Sequence, residues 1–80
     1  MTYSDIHAKL TDVFRDLFED PSLQISDATS ARDVQGWDSL AHVNLVVATE
    51  KAFGLSFTTK EVMALANVGD LIRLIERRAK

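Results

Sequence analysis

Between positions 4 and 18 the apolar residues Ile6, Leu10, Val13, Phe14, Leu17 and Phe18 recur at intervals of three and four, with His7, Lys9, Asp12, Arg15 and Asp16 between them. This is the period of a helix with one buried face, so the pattern predicts an amphipathic α-helix from Ser4 to Phe18. Thr2 or Ser4 offers a capping hydroxyl, Asp5 suits the positive end of the helix dipole, and Asp20-Pro21-Ser22 stops the helix. From Glu19 to Trp37 the period disappears. Pro21, Ser22, Ser26, Asp27, Thr29, Ser30 and Gly36 surround isolated Leu23, Ile25 and Val34, which predicts a long ordered loop pinned to the core by its few apolar side chains.

A second helix is expected from Asp38 to Phe53, with Gly54 suited to a left-handed C-cap. On its wheel Leu40, Val43 and Val47 form one apolar stripe, bordered by Val46, while Leu45, Ala52 and Phe53 form another roughly opposite. One stripe belongs to the core, and Leu45 and Phe53 are assigned there with Phe14 and Ile72. The stripe of Leu40, Val43 and Val47 is read as a docking patch, against the plainer alternative of a helix buried on both sides. Thr58 and Glu61 have the spacing of a capping box, predicting a short third helix to about Ala66. Asn67 caps a fourth, with Val68, Leu71, Ile72 and Ile75 on its apolar stripe and Arg73, Glu76, Arg77 and Arg78 on its wet face. The fold class expected is all-α, a small four-helix bundle of three main helices and one short one, with a long loop between the first two.

Eighty residues are expected to form a single domain, 1–80, and 46% hydrophobic with 26% charged residues is the balance of a folded domain. The absence of cysteine excludes disulfides, thiolate metal sites and cysteine nucleophiles. A net charge of -3 argues against a nucleic-acid binder. Its distribution is uneven: residues 1–40 hold eight acids and three bases, residues 41–80 four acids and six bases. No apolar run is long enough to span a membrane, and the polar start Met1-Thr2-Tyr3-Ser4-Asp5 does not resemble a signal peptide, so a cytoplasmic, monomeric protein is expected.

Gly36-Trp37-Asp38-Ser39-Leu40 stands where the loop meets the second helix. A serine there is exposed beside free backbone N–H groups and the positive end of the dipole, a setting that favours an attached phosphate, while Asp38 can cap the turn. The plainer alternative is that Asp38 or Ser39 does no more than cap a helix.

With this motif in place, nearly the whole sequence resembles the acyl carrier protein family. The likeness extends from the amphipathic first helix and long loop through Gly36-Trp37-Asp38-Ser39-Leu40 to Glu50-Lys51-Ala52-Phe53-Gly54-Leu55 and Val68-Gly69-Asp70-Leu71-Ile72. The resemblance implies that Ser39 receives 4'-phosphopantetheine from a phosphopantetheinyl transferase, that Asp38 assists that modification and that Leu40 contacts partners. The carrier then holds an acyl group as a thioester and presents it to acyl-transferring or acyl-activating enzymes.

Where general fatty-acid carriers bear acids on the second helix, this chain has Ala41, Asn44 and Lys51, and only Glu50 survives. Recognition is therefore expected to rest on Leu40, Val43 and Val47 with Glu50, in a specialised lipid or secondary-metabolite pathway. An aminoacyl or peptidyl carrier and a non-covalent helical interaction module are the alternatives. His7 and His42 lack partners at metal-ligand spacing and read as helix-face histidines, and Trp37 as a loop anchor. The basic end Glu76-Arg77-Arg78-Ala79-Lys80 complements the helix dipole. No nucleophile, base and oxyanion donor can be assembled, so the protein is not expected to be an enzyme.

Overall fold

The computed structural model describes residues 2–78. Four helices follow one another: α1 (Tyr3–Leu17), α2 (Ser39–Phe53), α3 (Thr59–Met63) and α4 (Val68–Arg78), and the described residues contain no strand. The small helical bundle read from the periodicity is the fold found.

Helix boundaries follow from local chemistry. Thr2 caps α1, its hydroxyl accepting from Asp5 N while the Asp5 carboxylate accepts from Thr2 N, a reciprocal capping box. Thr58 and Glu61 repeat the device at α3. At α4 the Asn67 side chain accepts from Asp70 N, and the Asp70 carboxylate accepts from Ala66 N at 3.0 Å. That last bond explains why α3 stops at Met63 rather than near Ala66. The Ala66 N–H is drawn into the cap of the next helix, and Ala64 N already makes a tightened bond to Glu61 O.

Both long helices close with the same backbone motif. After α2, Gly54 takes φ 66° and Leu55 N returns to Glu50 O. After α1, Glu19 takes φ 52°, Glu19 N returns to Asp16 O and Asp20 N to Arg15 O. A glutamate there adopts the left-handed region that favours glycine.

Ile6, Leu10 and Phe14 of α1, Leu45 of α2 and Val68, Leu71, Ile72 and Ile75 of α4 are buried in one core, joined by Ile25 of the loop. Three placements differ from the sequence expectation. Phe53 is half-buried, packed on the rim of the core with Lys9 Nζ 5.1 Å from its ring centroid. Val46 is buried, which narrows the exposed stripe of α2, and Leu74 joins the buried face of α4. Thr49 also lies in the interior, its hydroxyl donating to Leu45 O at 2.7 Å.

The long loop is held mainly through its own carbonyls. Arg15 Nε bonds Leu23 O and His7 Nε2 bonds Ile25 O, each at 2.7 Å, and the Tyr3 hydroxyl donates to the Asp27 carboxylate. Asp27 O and Thr29 O accept from Gly69 N and Val68 N, so the loop satisfies N–H groups that the start of α4 would leave unpaired. Ile25 and Val34 supply the apolar pins.

Candidate functional site

The loop turns into α2 through Gly36, whose φ of 90° is one that a side chain rarely tolerates, and Asp38 N bonds back to Gly36 O at 3.0 Å. Trp37 sets the position of this turn. Its ring meets Phe14 edge-on, at 5.3 Å between centroids and 79° between planes, and lies 6.3 Å from Phe18. The indole is therefore wedged against α1, and its Nε1 reaches His42 on α2.

Asp38 is the N-cap of α2. It is extended, its Oδ1 accepts from Ala41 N at 2.8 Å, and its carbonyl accepts from His42 N. The N–H groups of Ser39 and Leu40 precede the first intrahelical bond and point toward the helix terminus. Ser39 is the first residue of α2 and is exposed. Its hydroxyl thus stands beside two free backbone donors at the positive end of a helix whose first turn contains no acid. These residues fit a phosphodiester linked to Ser39 Oγ: the donors match its oxygens, and the adjacent Asp38 carboxylate is turned to Ala41 N.

Along α2 from Ser39, Leu40 is 72% exposed, Val43 56% and Val47 43%, while Leu45 on the opposite side is 1% exposed. Three apolar side chains are therefore left in solvent on the helix that begins with the serine. Asn44 and Lys51 are also exposed and Ala41 half-buried. Glu50 is drawn inward: it is half-buried, and its Oε2 accepts from Phe57 N at 2.7 Å, fastening the turn between α2 and α3.

His7 and His42, taken from sequence as helix-face residues, are both half-buried ties between segments. The sequence carried no signal for these ties, because the Ile25 and Val62 carbonyls lie far from the rings along the chain and are brought to them by packing. Trp37 is the loop anchor expected of it. At the basic end, Arg78 pairs with Glu61 of α3, and Ala79 and Lys80 lie outside the described residues.

The chain matches the family model described as the phosphopantetheine attachment site over residues 8–75. The acyl carrier protein of Helicobacter acinonychis (strain Sheeba) is 32% identical over 74 residues, covering 92% of this chain and 90% of that protein. That of Sinorhizobium fredii (strain NBRC 101917 / NGR234) is 31% identical over 74 residues, covering 92% and 95%. The solution structure of holo acyl carrier protein from Geobacter metallireducens superposes with a TM-score of 0.84 at 40% identity, over 90% of this chain and 83% of that one.

Proposed function

The chain belongs to the acyl carrier protein family, and we propose that it carries its prosthetic group on Ser39 and serves the enzymes of a specialised acyl pathway. Membership makes it a carrier rather than an enzyme, with covalently attached 4'-phosphopantetheine and with a phosphopantetheinyl transferase and acyl-handling enzymes as partners. When attached, the group supplies the thiol on which an acyl chain is held as a thioester, which this cysteine-free sequence cannot provide itself.

The observation that carries the assignment is the exposed Ser39 hydroxyl beside the free N–H groups of a helix start capped by Asp38. Asp38 holds the turn in the shape a transferase reads, and loss of its carboxylate slows modification. Leu40, Val43 and Val47 form the surface that partners cover, and Glu50, the one carboxylate α2 carries, adds little to it because it is half-buried and tied to Phe57 N. With no acid at half-buried Ala41 or at exposed Asn44 and Lys51, that surface attracts partners through apolar burial more than through charge. This supports a dedicated lipid or secondary-metabolite pathway over general fatty-acid elongation.

The test is incubation with coenzyme A, magnesium and a broad-specificity phosphopantetheinyl transferase, followed by intact mass and peptide mapping. One phosphopantetheinyl group on Ser39, absent from a folded Ser39→Ala variant, is the expected result. A label on another residue, or an unchanged mass with several promiscuous transferases, overturns the assignment.

A further inference from the structure

An indole nitrogen can only donate a hydrogen bond. Trp37 Nε1 lies 3.1 Å from His42 Nδ1, so Nδ1 accepts and is unprotonated. The proton of the neutral ring then sits on Nε2, where the Val62 carbonyl accepts it at 3.3 Å. One imidazole joins three stretches of chain: the turn leading to Ser39, α2 itself, and α3.

We propose that His42 is a positioning residue that works as a proton-operated latch, tying Trp37 and the Ser39 turn to α2 and α3 when neutral and letting go of Trp37 when protonated. An imidazolium carries N–H on both nitrogens, so Nδ1–H would confront the indole N–H, donor against donor, while the bond to Val62 O gains a charged donor. Protonation therefore frees the loop side and keeps the α3 side.

Stacking does not replace the lost bond. The ring planes are only 17° apart, but their centroids are 6.1 Å apart and a 3.1 Å contact joins the nitrogens, so the rings meet edge to edge. The imidazolium charge is not placed over the indole face, where a cation–π attraction would arise. Among the described residues no carboxylate is hydrogen-bonded or ion-paired to the His42 ring. From the turn, Asp38 is engaged with Ala41 N. On α3, Glu61 beside Val62 is held by Thr58 N and Arg78, with Lys60 preceding it. On α1 the groups against Trp37 are the neutral rings of Phe14 and Phe18.

The latch is independent of what Ser39 carries, whereas its effect on loading rests on the reading of Ser39 as the attachment residue. Trp37 is the sole tryptophan, so indole emission reports this place alone. Wild-type emission and the Trp37 indole N–H proton shift should change together, as a single-proton transition that follows protonation of the His42 ring. In His42→Gln the amide oxygen can accept from Trp37 and the amide N–H can serve Val62, so both signals should stay at their high-pH values throughout. Nitrogen shifts of the wild-type ring should show the Nε2–H tautomer above the transition, a measurement that needs no variant. A transition persisting in His42→Gln, a wild-type Trp37 signal that ignores the titration of His42, or an Nδ1–H tautomer overturns the proposal. For loading, the modification rate of wild type relative to His42→Gln should fall by about twofold to tenfold as pH drops through the transition, the worth of one hydrogen bond. A constant ratio removes the positioning role. If neither protein is modified, the reading of Ser39 fails while the Trp37 signals still decide the latch.

Discussion

Asp27 in the loop and Gly69 in α4 meet so closely that a Cβ on Gly69 would stand 3.1 Å from both the Asp27 Cβ and the Asp27 carbonyl oxygen. The same carbonyl accepts from Gly69 N at 2.9 Å, which keeps the loop from backing away. A side-chain-free position in α4 thereby lets the loop cap the helix with its backbone. Gly69→Ala should cost about 1 to 2 kcal/mol after the helix-propensity gain of alanine is counted. Urea melts of the two proteins measure it, and an alanine variant as stable as wild type would show that the loop yields freely.

The unequal exposure of the two faces of α2 predicts an unequal response to truncation. Phe14→Ala, Leu45→Ala and Ile72→Ala should each cost about 2 to 5 kcal/mol, since all three side chains are fully buried. Phe53→Ala should fall below that range because its ring is half-buried on the rim. Val43→Ala and Val47→Ala should change stability by about 0.5 kcal/mol or less while weakening binding to partner enzymes. Denaturant melts paired with binding measurements separate the two effects, and a Val43 as costly to folding as Leu45 would place that stripe in the core.

Acid should loosen α3 and α4 first. The Glu61 carboxyl is held below its usual range chiefly by the bond from Thr58 N, with Arg78 assisting. Asp70 is held low chiefly by the bond from Ala66 N, with Arg73 2.5 Å away assisting. A carboxyl with a lowered folded-state pKa stabilises fully above its unfolded value of about 4 and loses that contribution as pH falls through the folded value. Thermal melts should therefore show stability falling below about pH 4. The fall should be shallower in Glu61→Gln and Asp70→Asn, and an unchanged acid limb in both would remove these caps as its cause.

The proposed docking surface of α2 predicts how partner choice should depend on salt. Acids at positions 41, 44 and 51 would draw a basic enzyme surface from about a Debye length away, near 8 Å at physiological salt. The holo wild type should be loaded poorly by a malonyl transferase of fatty acid synthesis, with little sensitivity to salt. The triple variant Ala41→Glu, Asn44→Glu, Lys51→Glu should be loaded faster, and most so at low ionic strength. Efficient, strongly salt-dependent loading of the wild type would return this chain to the general fatty-acid role.

Most helix caps were legible in the sequence because their chemistry closes within a few residues, whereas the end of α3 at Met63 was not, since the Ala66 N–H is taken by the cap of α4. The structure chose Thr2 over Ser4 as the cap of α1 and Asp38 over Ser39 as that of α2, while Thr58 with Glu61 and Gly54 after Phe53 need no knowledge of the rest of the chain. The same holds for Ser39, whose exposure and free donors follow from its place at a helix start. The helical wheel of α2 already separated a core stripe with Leu45 from an outward stripe of Leu40, Val43 and Val47, whereas only the packed fold showed that Val46 is buried and Phe53 is left on the rim. Only the tertiary structure brought His42 between Trp37 and Val62, His7 to Ile25 O, Glu50 to Phe57 N and the Asp27 and Thr29 carbonyls to α4. Most of these bonds join different elements of the fold, and all depend on backbone groups or ring edges whose direction is set by packing. A linear sequence specifies which donors and acceptors exist, whereas the approach of one segment to another specifies which of them meet.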